Sequence, residues 1–215
     1  MKSETKLFLG IILGTVAIVI AGILILSRPA TPVKVDASLL IRENSHKTAS
    51  GSASITLVEF SDFQCPACVT YHPIVKEIAQ KFSKDLILVY RNFPLTNLHK
   101  NAYLAAQAAE AAGKQQKYWE MNNMLFEKQA EWSELPSPVD IFTGYAATLG
   151  LDAGRFVNDM NSDEVRSIID ADIADGNALG IPGTPTFFVN GQKIENPPSA
   201  ADFEAVIQDA ISVKK

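Results

Sequence analysis

The segment 55–60, ITLVEF, is β-branched and apolar, with small polar residues before it and Ser61-Asp62 after it, the pattern of a buried strand. Residues 66–82 follow with Val69, Ile74, Val75, Ile78 and Phe82 at helical spacing, and residues 86–90, LILVY, form a second buried run. Strand, helix and strand in that order predict parallel strands joined by a right-handed crossover, which is the strongest constraint on the fold.

Strand signals then vanish from about residue 98 to 179. The Ala-rich run 102–112 ends at Gly113, and residues 117–130 carry Tyr118, Met121, Leu125 and Phe126 as a second helix. Ser137-Pro138 reads as a cap with proline at the first helical position, and Asp152 and Asn161 as caps of two more helices. Thr186-Phe187-Phe188-Val189 is again a strand, Asn190-Gly191 a tight hairpin turn, and residues 192–194 the return strand. Ser199 to Asp202 has a capping-box pattern before a final helix through Ile207 and Ile211. The expected body is therefore residues 55–215, an α/β domain with a helical insertion at about 98–179. Trp119, Trp132 and the Phe187-Phe188 pair are expected in its core.

Residues 7–26 hold no charge, and a helix of that length, at ~1.5 Å per residue, spans a hydrocarbon core of ~30 Å. Lys2 and Lys6 before it, against Arg28 after it, favour residues 1–6 in the cytoplasm and the body outside. Residues 7–26 are expected to be a transmembrane signal anchor; a cleaved signal peptide is the alternative, although no A-x-A site follows. Residues 27–54 read as a linker, extended around Pro29 and Pro32, with a short strand at Leu39-Leu40-Ile41-Arg42 and a small polar loop from His46.

Cys65 and Cys68 are the chain's two cysteines, and chance would place two cysteines three apart about once in a hundred sequences. A structural disulfide framework lacks partners, and zinc lacks a histidine pair at ligand spacing. Of the net charge of −5, the first 26 residues contribute +1, so the body is acidic and unsuited to nucleic acid. Pro66 at the first helical position makes Cys65 the N-cap. The free N–H groups of Ala67 and Cys68 and the helix dipole then favour its thiolate, the form that attacks disulfides. Cys68 lies one turn on, on the same face, as the resolving thiol. Glu59 is either a buried carboxyl with a raised pKa or an outward-facing edge residue. His72 either faces the site or is a partly exposed helix residue, and the second reading is preferred; His46 and His99 are given no role.

VEFSDFQCPAC, followed far downstream by GIPGTPTFFVNG, resembles the DsbA-like thioredoxin-fold oxidoreductases, especially their membrane-tethered bacterial members. The resemblance runs from about residue 39 to the C-terminus. It implies a thioredoxin-like fold and a dithiol enzyme with Cys65 as nucleophile, Cys68 as buried partner and Glu59 as the acid assisting proton transfer. It also implies Pro185 in cis opposite the site, with Thr184 and the Pro66-Ala67 dipeptide meeting the substrate chain. Pro66-Ala67 lacks the histidine found between the cysteines of DsbA, which implies a less oxidising couple. The expected substrates are cysteine-containing exported proteins, oxidised with no bound cofactor or metal, and a membrane redox partner resets the disulfide. The alternatives are a reductase or isomerase of the same fold, or a tethered peptide-binding module.

Overall fold

The computed structural model describes residues 11–16, 18–20, 22, 35–48 and 53–213. The chain divides into two compact units, Met1–Val33 and Lys34–Lys215. In the first, the described residues are helical, and the remainder of the expected anchor at 7–26 lies outside the described residues, as does the extended linker at 27–34. Among the described residues no helix is long and apolar enough to cross a membrane.

The second unit opens with α1 (Ala37–Leu40) and β1 (His46–Lys47). The expected strand at 39–42 is not formed. Asp36 instead caps a helical turn, its carboxylate accepting from Ser38 N at 2.9 Å and Ser38 Oγ at 2.8 Å. Leu40 packs into the core, and Arg42 leaves the backbone direction to pair with Asp175. The strand forms later, in the segment read as loop, where His46–Lys47 pairs with Tyr90 and Val89.

β2 (Ile55–Ser61), α2 (Pro66–Lys81) and β3 (Leu86–Asn92) make the parallel unit expected from the hydrophobic pattern, with Ile55 opposite Leu86 and Ser61 opposite Asn92. β4 (Thr186–Val189) lies antiparallel to β2 on its other side, and β5 (Gln192–Ile194) completes the order β1-β3-β2-β4-β5. Asn190 and Gly191 take φ of 49° and 83°, the left-handed pair that a two-residue hairpin requires. β2 is thus a central strand, buried on both faces. Ile55 and Leu57 pack with Val75 and Ile78 of α2 and Phe203 and Ile207 of α9 (Ala200–Val213); Val58 and Phe60 face the other way with Val89, Phe93 and Phe188. By the same alternation Glu59 and Ser61 point to the α2 side.

Between β3 and β4 run α3 (Ala102–Gly113), α4 (Tyr118–Glu127), α5 (Gln129–Trp132), α6 (Val139–Thr148), α7 (Ala153–Met160) and α8 (Asp163–Ala178). The alanines of α3 are buried and let α4, α7 and α8 approach closely. Lys128 interrupts the helix expected over 117–130, and Ser162 rather than Asn161 caps α8, accepting from Val165 N. α6 starts at Val139, one residue later than Pro138 suggested, while Asp152 caps α7.

α8 is fixed to the sheet by Arg91, a fully buried guanidinium on β3. It donates to Asp172 Oδ1 at 2.7 Å, Asp175 Oδ2 at 2.5 Å and the Leu39 carbonyl at 2.9 Å, and Arg42 reinforces Asp175 from outside. Burial lifts the Asp172 carboxyl to about 6, against the pull of Arg91. Gly176 permits this approach, since a Cβ there would lie 2.5 Å from the Phe93 ring.

Candidate active site

Where β2 ends, the chain turns through residues 62–65 and enters α2. Cys65 has extended dihedrals (φ −71°, ψ 124°) and is the N-cap, with Pro66 in the first helical turn. Pro66 and Ala67 are exposed, Cys65 retains 7% exposure, and Cys68 retains none. The outer sulfur is therefore the one a partner can reach.

The two thiols are pushed apart electrostatically. The Cys65 sulfur is brought down to about 5: the Cys68 thiol donates to it most strongly, burial opposes, and the Thr184 hydroxyl and the amides of Cys68 and Ala67 contribute less. No first-turn amide makes a full capping hydrogen bond to the sulfur, and the Thr184 hydroxyl has no partner at hydrogen-bond geometry. In its protonated form Cys65 donates to the Thr184 carbonyl at 3.4 Å. Burial raises the Cys68 thiol, and the charges of Cys65 and Glu59 raise it further.

Thr184 and Pro185 come from the segment entering β4, and their peptide bond is cis. Thr184 is half-buried and Pro185 buried, beside an open groove of about 680 Å³ lined by Gly183, Thr184, Pro185, Lys193 and Asn196 among others. Asn196 Nδ2 donates to the Pro185 carbonyl at 2.9 Å and holds this wall in place. The groove passes Thr184, whose carbonyl meets the Cys65 sulfur.

Glu59 is 4% exposed on the central strand, which removes the outward-facing reading. Burial pushes its carboxyl up to about 7; Ser61 opposes weakly, its hydroxyl stopping short of hydrogen-bond geometry. Glu59 opens onto a cleft of about 290 Å³ between α2 and α4, shared with Tyr90, Asn122, His72 and Lys76. A carboxyl poised near neutrality and felt by the inner thiol can carry a proton to or from Cys68.

Sequence reasoning missed the clamps around the turn. Asp62, 1% exposed, accepts from Gln64 N (2.7 Å) and Leu95 N (2.9 Å) and pairs with His99 Nδ1 (2.7 Å). The Gln64 side chain bridges Asn101 N and the Ser133 carbonyl, and Gln129 Nε2 donates to the Phe63 carbonyl at 2.7 Å. The helical insertion thus supplies the frame that fixes the cysteine turn. The polar-polar spacing SDFQC was the one visible hint, and it names no partners. His72 stacks on Phe126 at 4.7 Å, and burial lowers it to about 4, so it is neutral and lends Cys65 no charge. His46 stacks on Tyr118 and pairs with Glu110 at 2.8 Å. Among the described residues no group of three or more His, Cys, Asp or Glu side chains is placed to hold a metal ion.

A parallel β-α-β unit with a CxxC at its helix start and a cis-proline opposite defines the thioredoxin class. The chain belongs to the thioredoxin family, which residues 43–209 match. Similar curated proteins include the Na(+)/H(+) antiporter NhaA 1 of Mycolicibacterium gilvum, 37% identical over 163 residues, or 74% of this chain and 25% of that protein. The Na(+)/H(+) antiporter NhaA 1 of Salinispora arenicola is 38% identical over 70% of this chain and 22% of its own length. The chain spans about a quarter of the length of the curated relatives it matches. Among solved structures, a thioredoxin-like oxidoreductase from Silicibacter pomeroyi superposes with TM-score 0.68 at 27% identity, over 83% of this chain and 97% of that one. Wolbachia pipientis alpha-DsbA1 gives 0.73 at 23% (83% and 96% covered), and oxidised BdbD from Bacillus subtilis 0.72 at 20% (86% and 100%). These last two likenesses concern the fold, which is thioredoxin-like and close to that of DsbA-type proteins.

Proposed function

We propose that this chain is an extracytoplasmic thiol–disulfide oxidoreductase, tethered to the membrane by residues 7–26, that oxidises cysteine pairs in exported proteins. The observation that carries the reading is the opposed state of the two sulfurs. Cys65 sits near 5, at the surface, and Cys68 is raised and enclosed.

A substrate thiolate attacks Cys65 Sγ of the Cys65–Cys68 disulfide, forming the mixed disulfide and expelling Cys68 as a thiolate. Glu59, protonated about half the time at neutral pH, supplies the proton that this enclosed thiolate needs. The second substrate thiol, losing its proton to solvent, then attacks the substrate sulfur and releases Cys65 as a stable thiolate. Two substrate thiols are oxidised and one enzyme disulfide is reduced; a membrane redox partner returns the two electrons to an oxidant. A stabilised thiolate favours the reduced enzyme, and so drives oxidation of the substrate.

The tether rests on composition and exposure. Ile11, Leu13, Ile18 and Ile20 are 52–73% exposed, apolar surface suited to lipid rather than water. The antiporter names of the longer relatives describe proteins that act across a membrane, which agrees with a membrane-side position. Ion transport is not carried over with them.

The direction of the reaction is tested by equilibrating the purified pair with glutathione. A potential well above about −200 mV is expected for oxidase duty, whereas a value near about −270 mV would assign the chain to disulfide reduction.

A further inference from the structure

The cleft between α2 and α4, of about 290 Å³, lies apart from the substrate face, since none of Cys65, Thr184 and Pro185 lines it. Val75 and Ala79 of α2 and Trp119 of α4 give it apolar walls. An apolar cavity of about 150 Å³ holds benzene, so a ring with a polar substituent fits here. The cleft is also lined by Glu59, Tyr90 and Asn122, which are 4%, 2% and 2% exposed. Tyr90 Oη and Asn122 Nδ2 have no hydrogen-bond partner among the described residues. Buried polar atoms are ordinarily paired, and leaving one unpaired is costly. The Tyr90 ring is held where it is, stacked on Phe63 at 5.1 Å and edge-on to Phe126 at 6.3 Å.

We infer that this cleft binds a small uncharged molecule, a single ring bearing a carbonyl or amide oxygen, and that its occupant shuts Glu59 off from solvent. The link to Glu59 rests on the oxidoreductase reading above; the binding site does not.

The chemistry of the lining selects the ligand. Asn122 Nδ2 can only donate, and Tyr90 Oη and a protonated Glu59 can donate as well, so the matching group is an oxygen acceptor. A charged ligand would lose its hydration among apolar walls. Nor does the lining offer it a free cation: Lys76 is taken by Glu127 at 2.8 Å, and burial keeps His72 neutral. An occupant displaces water from the Glu59 carboxyl and slows the proton that it passes to Cys68. Cys65, on the other face, stays reachable.

The test is a titration of benzamide into the reduced full chain in detergent micelles at pH 6. Binding is followed by nuclear magnetic resonance of the Trp119 indole N–H and the Asn122 side-chain amide. Both signals should move together to saturation. Tyr90→Phe should weaken binding about fivefold, the effect of one neutral hydrogen bond. Ala79→Leu, whose added carbons take the space of the ring, should abolish it. Benzoate, of the same shape with a charge, should bind at least about tenfold more weakly. Unsaturable shifts, or an affinity unchanged in either variant, would overturn the site, and equal affinity for benzoate would overturn the ligand class. Saturating benzamide should also slow exchange with glutathione about tenfold, with the alkylation rate of Cys65 unchanged. Binding without slower exchange would overturn the link to Glu59. Failure of the unliganded chain to exchange with glutathione would instead overturn the oxidoreductase reading and the link with it, while the binding curves still decide the site.

Discussion

Replacing Cys65 with Ser is expected to lower thiol–disulfide exchange by at least about a thousandfold, the scale on which loss of a catalytic nucleophile is felt. Replacing Cys68 with Ser should give a different defect, a protein whose Cys65 thiolate attacks a substrate disulfide and then holds the adduct until an outside thiol releases it. The asymmetry follows from access. Cys65 is the sulfur at the surface, beside Thr184 and the groove, while Cys68 has no exposure and is reached through Cys65. Without Cys68 the chain itself has no thiol that can attack the mixed disulfide, because it has no third cysteine, and only an outside thiol releases the adduct. Cys65→Ser leaves a buried thiol that no substrate can approach. Non-reducing electrophoresis with mass spectrometry distinguishes the two: adducts should accumulate on Cys68→Ser and be absent on Cys65→Ser. Equal adduct formation on both variants would mean that the outer and inner roles are wrongly assigned.

Replacing Glu59 with Gln is expected to stabilise the fold by about 3 kcal/mol at pH 8, with the gain vanishing below about pH 4.5. In the folded chain the carboxyl is lifted from 4.5 to about 7 by burial. At about 1.36 kcal/mol per unit, ionising it in place costs about 3 kcal/mol relative to the unfolded chain. The sign follows from proton uptake. Between about 4.5 and 7 the folded form binds more protons than the unfolded, so stability is full below that window and falls as pH rises through it. Gln fills the same space without the charge. Urea unfolding at pH 8 and pH 4 measures the difference; equal gains at both would show that the carboxyl is not perturbed. The same substitution should slow exchange by about tenfold or more at neutral pH, because the enclosed Cys68 loses its proton donor. A residue that destabilises the sheet and is nonetheless central to it fits a site retained for chemistry.

The sheet was legible in the sequence where local chemistry and tertiary packing ask for the same thing. ITLVEF and LILVY are buried on both faces, so their apolar runs needed no further context, and Asn190-Gly191 supplies the two left-handed residues of its turn. Pro66 marked the start of α2 and placed Cys65 at its cap. The errors lie where distant partners decide. Leu39-Leu40-Ile41-Arg42 has strand composition, yet the Asp36 cap begins a helical turn and the Arg42–Asp175 pair, across 133 residues, takes the chain elsewhere. The clamps on the cysteine turn come from His99, Asn101, Gln129 and Ser133, which share no spacing with Asp62 or Gln64 and meet them only through the fold. Glu59 was found because a carboxylate inside an apolar strand is conspicuous; its polar surroundings, Tyr90 and Asn122, were not, since each stands in an ordinary strand or helix pattern.

The whole reading depends on Cys65 being the more accessible of the two sulfurs and ionised at neutral pH. The rate of its alkylation by iodoacetamide, followed from pH 3 to 10 on the reduced chain with the modified cysteine identified by mass, tests that directly. The rate should rise with a midpoint at about 5 and be confined to Cys65. A midpoint near 9, the ordinary value for a thiol, would contradict it.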